Sequence, residues 1–117
     1  MAVHNFEEVI AWQKAKTLTT KAYSLFRTCT DHAFRDQLQR ACVSVMNNIA
    51  EGFERNSNKE LAQFLYIAKG SCGEARSMLI IARDIGYIAD SEYQEMYDLS
   101  LEVARLISGF ITSLRKS

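Results

Sequence analysis

Residues 61–82, LAQFLYIAKGSCGEARSMLIIA, carry the clearest helical pattern of the chain. Spacings of four and three residues alternate through the small and apolar positions, which are Leu61, Leu65, Ala68, Cys72, Ala75, Leu79 and Ala82. Such spacing forms one continuous stripe along a helix and is typical of helix bundles. A second stripe beside it predicts that this helix is buried on two sides. The second stripe consists of Phe64, Ile67, Met78, Ile81 and Ile85.

Two amphipathic helices are predicted before this one. The first runs from about Phe6 to Thr28, with Asn5 as its N-cap, and the second runs from a cap at Asp31 to about Arg55. Ser57 and Glu60 form a capping box at the start of the third helix. Only a few residues therefore join the second and third helices, which must form an antiparallel hairpin.

A fourth helix follows the central one. Gly86, followed by Tyr87, has the pattern of a left-handed C-cap, and Asp90 or Ser91 then begins a helix that reaches Arg115. This last helix has more apolar width than one bundle core requires. This extra apolar surface predicts one of two arrangements. Either part of the helix forms a subunit interface, or a broad arc faces the core and a few apolar side chains are left exposed. The predicted fold class is all-α, an antiparallel up-down-up-down four-helix bundle.

Composition agrees with this architecture. The 117 residues have the length of one ordinary domain, and the absence of proline favours long helices, so residues 1–117 are expected to form a single bundle. Fourteen basic and fourteen acidic residues give a formal net charge of zero. This balance argues against a dominant electrostatic attraction to nucleic acid or to an anionic membrane.

No segment predicts a membrane span or a secretory leader. The longest uncharged runs, residues 41–50 and 106–114, reach only about half of the ~20 residues needed to cross a bilayer. The first eight residues lack the basic start and apolar run of a signal peptide. We expect a cytoplasmic protein in which Cys29, Cys42 and Cys72 stay reduced.

Polar side chains interrupt the second and third helices where a bundle normally has hydrocarbon. On the second helix they recur at steps of four, four and three residues, so they project from one face. On the third helix a hydroxyl and a carboxylate lie beside Gly70 and Gly73, which are predicted to permit close helix approach. We call these side chains the polar ladder: Arg40, Ser44, Asn48, Glu51, Ser71 and Glu74.

The hairpin register predicts how the polar ladder is paired. If the chain turns near Ser57, Arg40 lies level with Glu74, which predicts an ion pair between the two helices. The ladder is then either a binding pocket inside the bundle or a satisfied polar network that fixes helix register. The network is the better hypothesis, because buried polar groups in bundles confer packing specificity. Glu74→Ala is accordingly expected to cost about 3–5 kcal/mol, as for breaking a buried pair.

Three kinds of catalytic or metal site lack necessary residues. A di-iron carboxylate bundle needs Glu-x-x-His on two helices, whereas the histidines are His4, near the start, and His32, in the first loop. A hydrolase triad fails because neither histidine shares a helix with a candidate serine. Cys29 and His32 offer two metal ligands, and another subunit would have to complete the site. We predict that the protein is not an enzyme and binds no metal or cofactor, and we identify no small-molecule substrate.

Several segments spread over nearly the whole chain resemble one known family, the four helix bundle proteins first noticed as products of intervening sequences within bacterial 23S ribosomal RNA genes. These segments are Ala11-Trp12-Gln13-Lys14-Ala15, Arg40-Ala41-Cys42-Val43-Ser44, Asn48-Ile49-Ala50-Glu51-Gly52 with Arg55, Phe64-Leu65, and Gly70-Ser71 with Glu74. The combination of Asn-Ile-Ala-Glu-Gly with a following Gly-Ser-x-x-Glu is far more specific than amphipathicity alone.

The resemblance implies a small bacterial protein that assembles into homo-oligomers, with a homopentamer ring as the expected form, and has no established enzymatic activity. A related branch comprises strongly basic accessory proteins of diversity-generating retroelements, which associate with nucleic acid. This chain departs from the commoner pattern with Met46 in place of a frequent proline and Gln39 in place of a frequent arginine. These departures put in doubt a kink in the second helix and weaken an RNA-binding face.

Two functional hypotheses follow. The preferred one is a non-enzymatic, self-associating structural or interaction module whose polar ladder holds the helices in register. The alternative is an RNA-binding accessory protein. Its candidate nucleic-acid contacts are the basic residues of the first helix, namely Lys14, Lys16, Lys21 and Arg27.

Overall fold

The computed structural model describes residues 4–116 and consists of four long helices preceded by a short 3-10 turn. The turn spans Phe6–Glu8. The helices are α1 (Ile10–Leu25), α2 (His32–Phe53), α3 (Asn58–Asp84) and α4 (Asp90–Arg115). His32 therefore begins the helix that carries Ser44 and does not lie in the loop, but about 18 Å of helix separates the two residues. No strand occurs within residues 4–116. The predicted fold class is confirmed.

The helices stand at the corners of a square. Within the described part of the chain α1 packs against α2 and α4, α3 packs against the same two helices, and α1 does not contact α3. Gln37 contacts Glu74 and Ser44 contacts Ser71, so residues later in α2 contact residues earlier in α3. Contacts between α1 and α4, and between α3 and α4, likewise join later residues of one helix to earlier residues of the other. Neighbouring helices are therefore antiparallel, and the α1/α4 side of the bundle lies opposite the α2/α3 side.

Three predicted caps are confirmed. The Asp31 carboxylate accepts a hydrogen bond from the Phe34 backbone N–H at 3.2 Å, and the Ser57 hydroxyl accepts one from Glu60 N–H at 3.2 Å. Gly86 ends α3 with a φ of +81°, the left-handed conformation that glycine adopts at low cost. These caps explain why α2 begins, and α3 begins and ends, close to the predicted residues.

The first helix differs from its prediction at both ends. Val9 separates the Phe6–Glu8 turn from α1 and has an extended backbone, with φ −76° and ψ 120°. This break turns the Val9 side chain into the core, where it is 6% exposed. The helix then ends at Leu25 and does not continue to Thr28.

The core stripe of α3 is confirmed, whereas its predicted burial on a second side is wrong. All seven positions of the first stripe are buried. In the second stripe, Ile67, Ile81 and Ile85 are 53%, 49% and 53% exposed. The reason is that α2 and α4 are the neighbours of α3, so its outward face meets solvent. None of the helices formed by residues 4–116 combines the length and apolarity needed to span a bilayer.

Candidate functional site

Four members of the polar ladder line a groove of about 410 Å³ on the outside of the bundle, between α2 and α3; they are Arg40, Ser44, Ser71 and Glu74. The uncharged members of the ladder, Ser44, Asn48 and Ser71, are half-buried, whereas the three charged members are exposed. The prediction of a buried ladder is therefore wrong for the charged members. The physical reason is that side chains on these flanks of two neighbouring helices face the groove between them, not the bundle axis.

The uncharged members form a small hydrogen-bond network. The hydroxyl oxygens of Ser44 and Ser71 lie 2.9 Å apart, which joins α2 to α3. The amide nitrogen of Asn48 donates to the Ser44 carbonyl oxygen at 2.8 Å and to the Ser44 hydroxyl at 3.0 Å. These half-buried groups satisfy one another, as polar groups in a helix contact must.

The predicted ion pair between Arg40 and Glu74 does not form. Both side chains line the same groove, but Glu74 accepts a long hydrogen bond from the Gln37 amide at 3.5 Å. Arg40 has no ion-pair partner among residues 4–116. In water, an exposed pair gains little attraction and loses side-chain entropy, so the two groups have little reason to lock together. For the same reason, Glu74→Ala is not expected to lower the free energy of unfolding by several kcal/mol.

The glycine that permits close helix approach is Gly52. A Cβ atom added there would lie 2.7 Å from the Phe64 Cβ and 3.1 Å from a methyl group of Leu61. A Cβ atom added at Gly70 would meet nothing within 4 Å, so the role predicted for Gly70 and Gly73 is wrong. The signal was present in the sequence, because Gly52 continues the buried stripe of α2.

The two buried cysteines, Cys42 and Cys72, lack the features of a reactive or metal-binding site. Burial raises the pKa of the Cys42 thiol to about 12. Burial also raises the pKa of Cys72, although the Arg76 guanidinium acts in the opposite direction, and the Cys72 thiol donates to the Ser100 carbonyl at 3.2 Å. Buried thiols of this kind behave as small apolar side chains. Residues 4–116 contain no group of three or more histidine, cysteine, aspartate or glutamate side chains that could hold a metal ion.

The four basic residues of the first helix divide into two pairs. Lys14 lies 3.5 Å from the Glu102 carboxylate, and Lys21 forms an ion pair with Glu95. Both of these lysines point toward α4, where their charge is partly neutralised. They are consequently poor candidates for contacts with a nucleic-acid phosphate.

The other two basic residues line a groove of about 460 Å³ between α1 and α2. Lys16 and Arg27 lie there with Trp12 and Tyr23, and Tyr23 is 48% exposed. The Lys16 ammonium lies 5.7 Å from the centre of the Trp12 ring, within cation–π range. We call this feature the α1/α2 groove. The spacing of these residues places them on one face of a helix, but the sequence does not show that α2 leaves this face open as a groove.

A third groove, mostly apolar and of about 420 Å³, lies between the start of α1 and the end of α4. Ile10 stands in it at 57% exposure, and the half-buried Leu106 and Phe110 account for part of the extra apolar width of α4. We call it the α1/α4 groove. Its apolar and glycine lining is Val9, Ile10, Ala11, Leu106, Gly109 and Phe110.

Comparisons with known proteins give a family and a fold. Residues 7–109 match the model of a family described as 23S rRNA-intervening sequence protein. The fold is similar to that of a protein of unknown function from the S23 ribosomal protein family of Bacteroides thetaiotaomicron, with a TM-score of 0.82. The two sequences are 20% identical, and the match covers 87% of this chain and 98% of the other. No curated protein sequence matches the chain.

Proposed function

Because this chain belongs to the 23S rRNA-intervening sequence protein family, we propose that it is a self-associating structural or interaction module of the cytoplasm that catalyses no reaction. A ring of five subunits is the form we expect. The observation that carries this proposal is unpartnered apolar surface on two separate parts of the bundle. One part has the α1/α4 groove, and the other has the exposed isoleucines of α3.

This apolar surface favours association on energetic grounds. Burial of hydrocarbon contributes about 25 cal/mol for each Å² removed from water. Monomeric soluble proteins rarely expose contiguous apolar patches larger than a few hundred Å². Ile67, Ile81 and Ile85 are each about half exposed on α3, so contact with another chain would remove apolar side-chain area from water.

The absence of a catalytic role is proposed from the environment of the candidate nucleophiles. The hydroxyls of Ser44 and Ser71 bond to each other and to the Asn48 amide, which is not a base. The Cys42 and Cys72 thiols are buried with raised pKa values. A nucleophile needs an adjacent base or a lowered pKa to react at neutral pH, and these groups have neither.

The mass of the purified protein in solution tests self-association. Light scattering should give a multiple of the 13.3 kDa chain mass, with five as the expected multiple. The melting temperature should also rise with protein concentration, because mass action stabilises a folded oligomer. A single species of 13.3 kDa at all concentrations, with a constant melting temperature, would refute the proposal.

A second candidate function, the binding of single-stranded RNA, is favoured by the α1/α2 groove. Single-stranded nucleic acids bind where cations follow the backbone and aromatic rings stack on bases. Trp12 and Tyr23 supply the rings, and Lys16 and Arg27 supply cations without carboxylate partners among residues 4–116. A ring of subunits would repeat this groove around its circumference.

Two double variants with the same change of charge test RNA binding. Binding of a short unstructured RNA should weaken when Lys16 and Arg27 are both changed to alanine. The slope of log affinity against log salt should fall by about 1.4, since each phosphate contact contributes about 0.7. Changing Lys14 and Lys21 to alanine should have a smaller effect, because both face carboxylates. Equal effects of the two double variants, or no salt-sensitive complex at micromolar protein, would exclude the groove as the binding site.

A further inference from the structure

The groove between α2 and α3 has a cation and an anion on its two walls that do not bind each other. We call it the α2/α3 groove. Arg40 of α2 has no hydrogen-bond or ion-pair partner among residues 4–116. Glu74 of α3 accepts only the long hydrogen bond from the Gln37 amide. Both charged groups therefore face the space of the groove, where one bound molecule can reach them together.

The two hydroxyl groups deeper in the groove have a hydrogen atom to spare. Ser44 and Ser71 have one hydroxyl hydrogen each, and the hydrogen bond between their oxygens uses only one of the two. The Asn48 amide donates to the Ser44 oxygen, so it uses none. Neither hydroxyl has a further acceptor within the described part of the chain. Whichever serine donates to the other, one O–H group remains available to a ligand.

The distribution of donors and acceptors selects a class of ligand. Arg40 lies one helical turn from Ser44, and together they offer donors that suit a carboxylate, which a guanidinium can bind in a bidentate manner. A phosphate is disfavoured, because its double negative charge would be repelled by Glu74 in the same groove. A molecule with one carboxylate and one ammonium group complements Arg40 and Glu74 at once. A free α-amino acid has these two groups.

The remaining lining favours an apolar side chain on that amino acid. Ala41, which is buried, and Val43, which is half-buried, line the groove beside the polar groups. Contact with these two residues would remove hydrocarbon of the ligand from water. The volume of about 410 Å³ is within the range of small-molecule sites.

We propose that the α2/α3 groove binds a free amino acid with an apolar side chain. Its carboxylate binds Arg40 and the spare hydroxyl hydrogen of the Ser44 and Ser71 pair, and its ammonium group binds Glu74. This site is additional to the proposed self-association and does not depend on it.

L-Leucine and two of its derivatives test this site on isotope-labelled protein. Titration with L-leucine should shift the backbone amide NMR signals of residues 40–44 and 71–74. L-Leucinamide lacks the carboxylate, and N-acetyl-L-leucine lacks the ammonium group. Each derivative should bind about tenfold more weakly than L-leucine, because it loses one charge-assisted contact.

Two variants test the two charged contacts separately. Arg40→Gln removes the partner of the carboxylate, so the preference for L-leucine over L-leucinamide should fall from about tenfold to about one. Glu74→Gln should abolish the preference for L-leucine over N-acetyl-L-leucine in the same way. Lys69→Gln makes the same change of charge as Arg40→Gln at an exposed position outside the groove lining, and it should keep both preferences.

Groove signals that do not move at the solubility limit of L-leucine would overturn the proposal. Equal binding of the three compounds by the wild type would also overturn it, as would an Arg40→Gln or Glu74→Gln variant that keeps both preferences. None of these results depends on the mass of the particle. A failure of the amino-acid site would therefore leave the proposed self-association intact, and a monomeric wild type would leave the site intact.

Discussion

Replacing Gly52 by alanine should destabilise the bundle by about 3 kcal/mol, at the upper end of the usual cost of overpacking a core. Alanine is the better helix former by about 1 kcal/mol, so helix propensity alone predicts the opposite sign. The new methyl group would lie 2.7 Å from the Phe64 Cβ and 3.3 Å from the Leu61 carbonyl oxygen. Neither neighbour is the end of a flexible side chain, so α2 and α3 must move apart. Urea denaturation at fixed protein concentration measures the change in the free energy of unfolding.

Gly73→Ala is the matched control for this experiment. Gly73 also lies inside a helix, but an added Cβ atom there would have its nearest neighbour, an Arg76 nitrogen, at 3.9 Å. We expect this variant to gain about 0.5–1 kcal/mol from helix propensity. If both alanine variants are stabilised, the close approach of α2 and α3 at Gly52 does not exist in solution.

Leu65→Ala should cost about 3–5 kcal/mol, the range measured for fully buried leucines. Leu65 is 0% exposed and packs in the core cluster formed by all four helices. Its truncation leaves a cavity that the surrounding helices fill only in part. The free energy of unfolding should be measured at the same protein concentration as the wild type, because assembly contributes to it.

Glu74→Ala serves as the comparison for Leu65→Ala. Glu74 is exposed and accepts one long hydrogen bond, so its loss should change the free energy of unfolding by no more than about 0.5 kcal/mol. A cost of several kcal/mol for Glu74→Ala, measured at the same protein concentration as the wild type, would show that Glu74 does form the inward ion pair with Arg40. A small cost for Leu65→Ala would contradict the assignment of the core.

Local chemistry in the sequence was sufficient to predict most of the fold. The alternating spacing from Leu61 to Ala82 predicted the buried face of α3, and Asp31, Ser57 and Gly86 marked where the helices begin and end. The break at Val9 was not predictable in this way. Its apolar side chain fits a helical pattern, and only the packed core shows that the backbone is extended there.

The candidate site was harder to predict, for two physical reasons. The hairpin register correctly placed Arg40 and Glu74 along one groove, but a small rotation about a helix axis decides whether a side chain points inward or into water. Apolar periodicity also measures how wide a hydrophobic face is, and not what covers it. Ile67 and Ile81 therefore looked like core residues, although no helix of the same subunit covers them.

The close helix approach at Gly52 was predictable from the spacing of the α2 residues. Val45, Ile49 and Gly52 follow one another at steps of four and three residues, so Gly52 belongs to the buried stripe of α2. A glycine in a buried stripe indicates that another backbone or side chain approaches closely. Gly70 and Gly73 lie off the buried stripe of α3, which is consistent with the open space beside them.

Sedimentation velocity of the wild type beside Gly109→Arg, which places a long charged side chain in the α1/α4 groove, tests most directly whether this apolar groove binds another subunit. We predict a wild-type particle several times heavier than 13.3 kDa and a variant of 13.3 kDa with unchanged helix content. Wild-type protein that sediments as a single chain, or a variant that sediments with the wild type, would contradict the account.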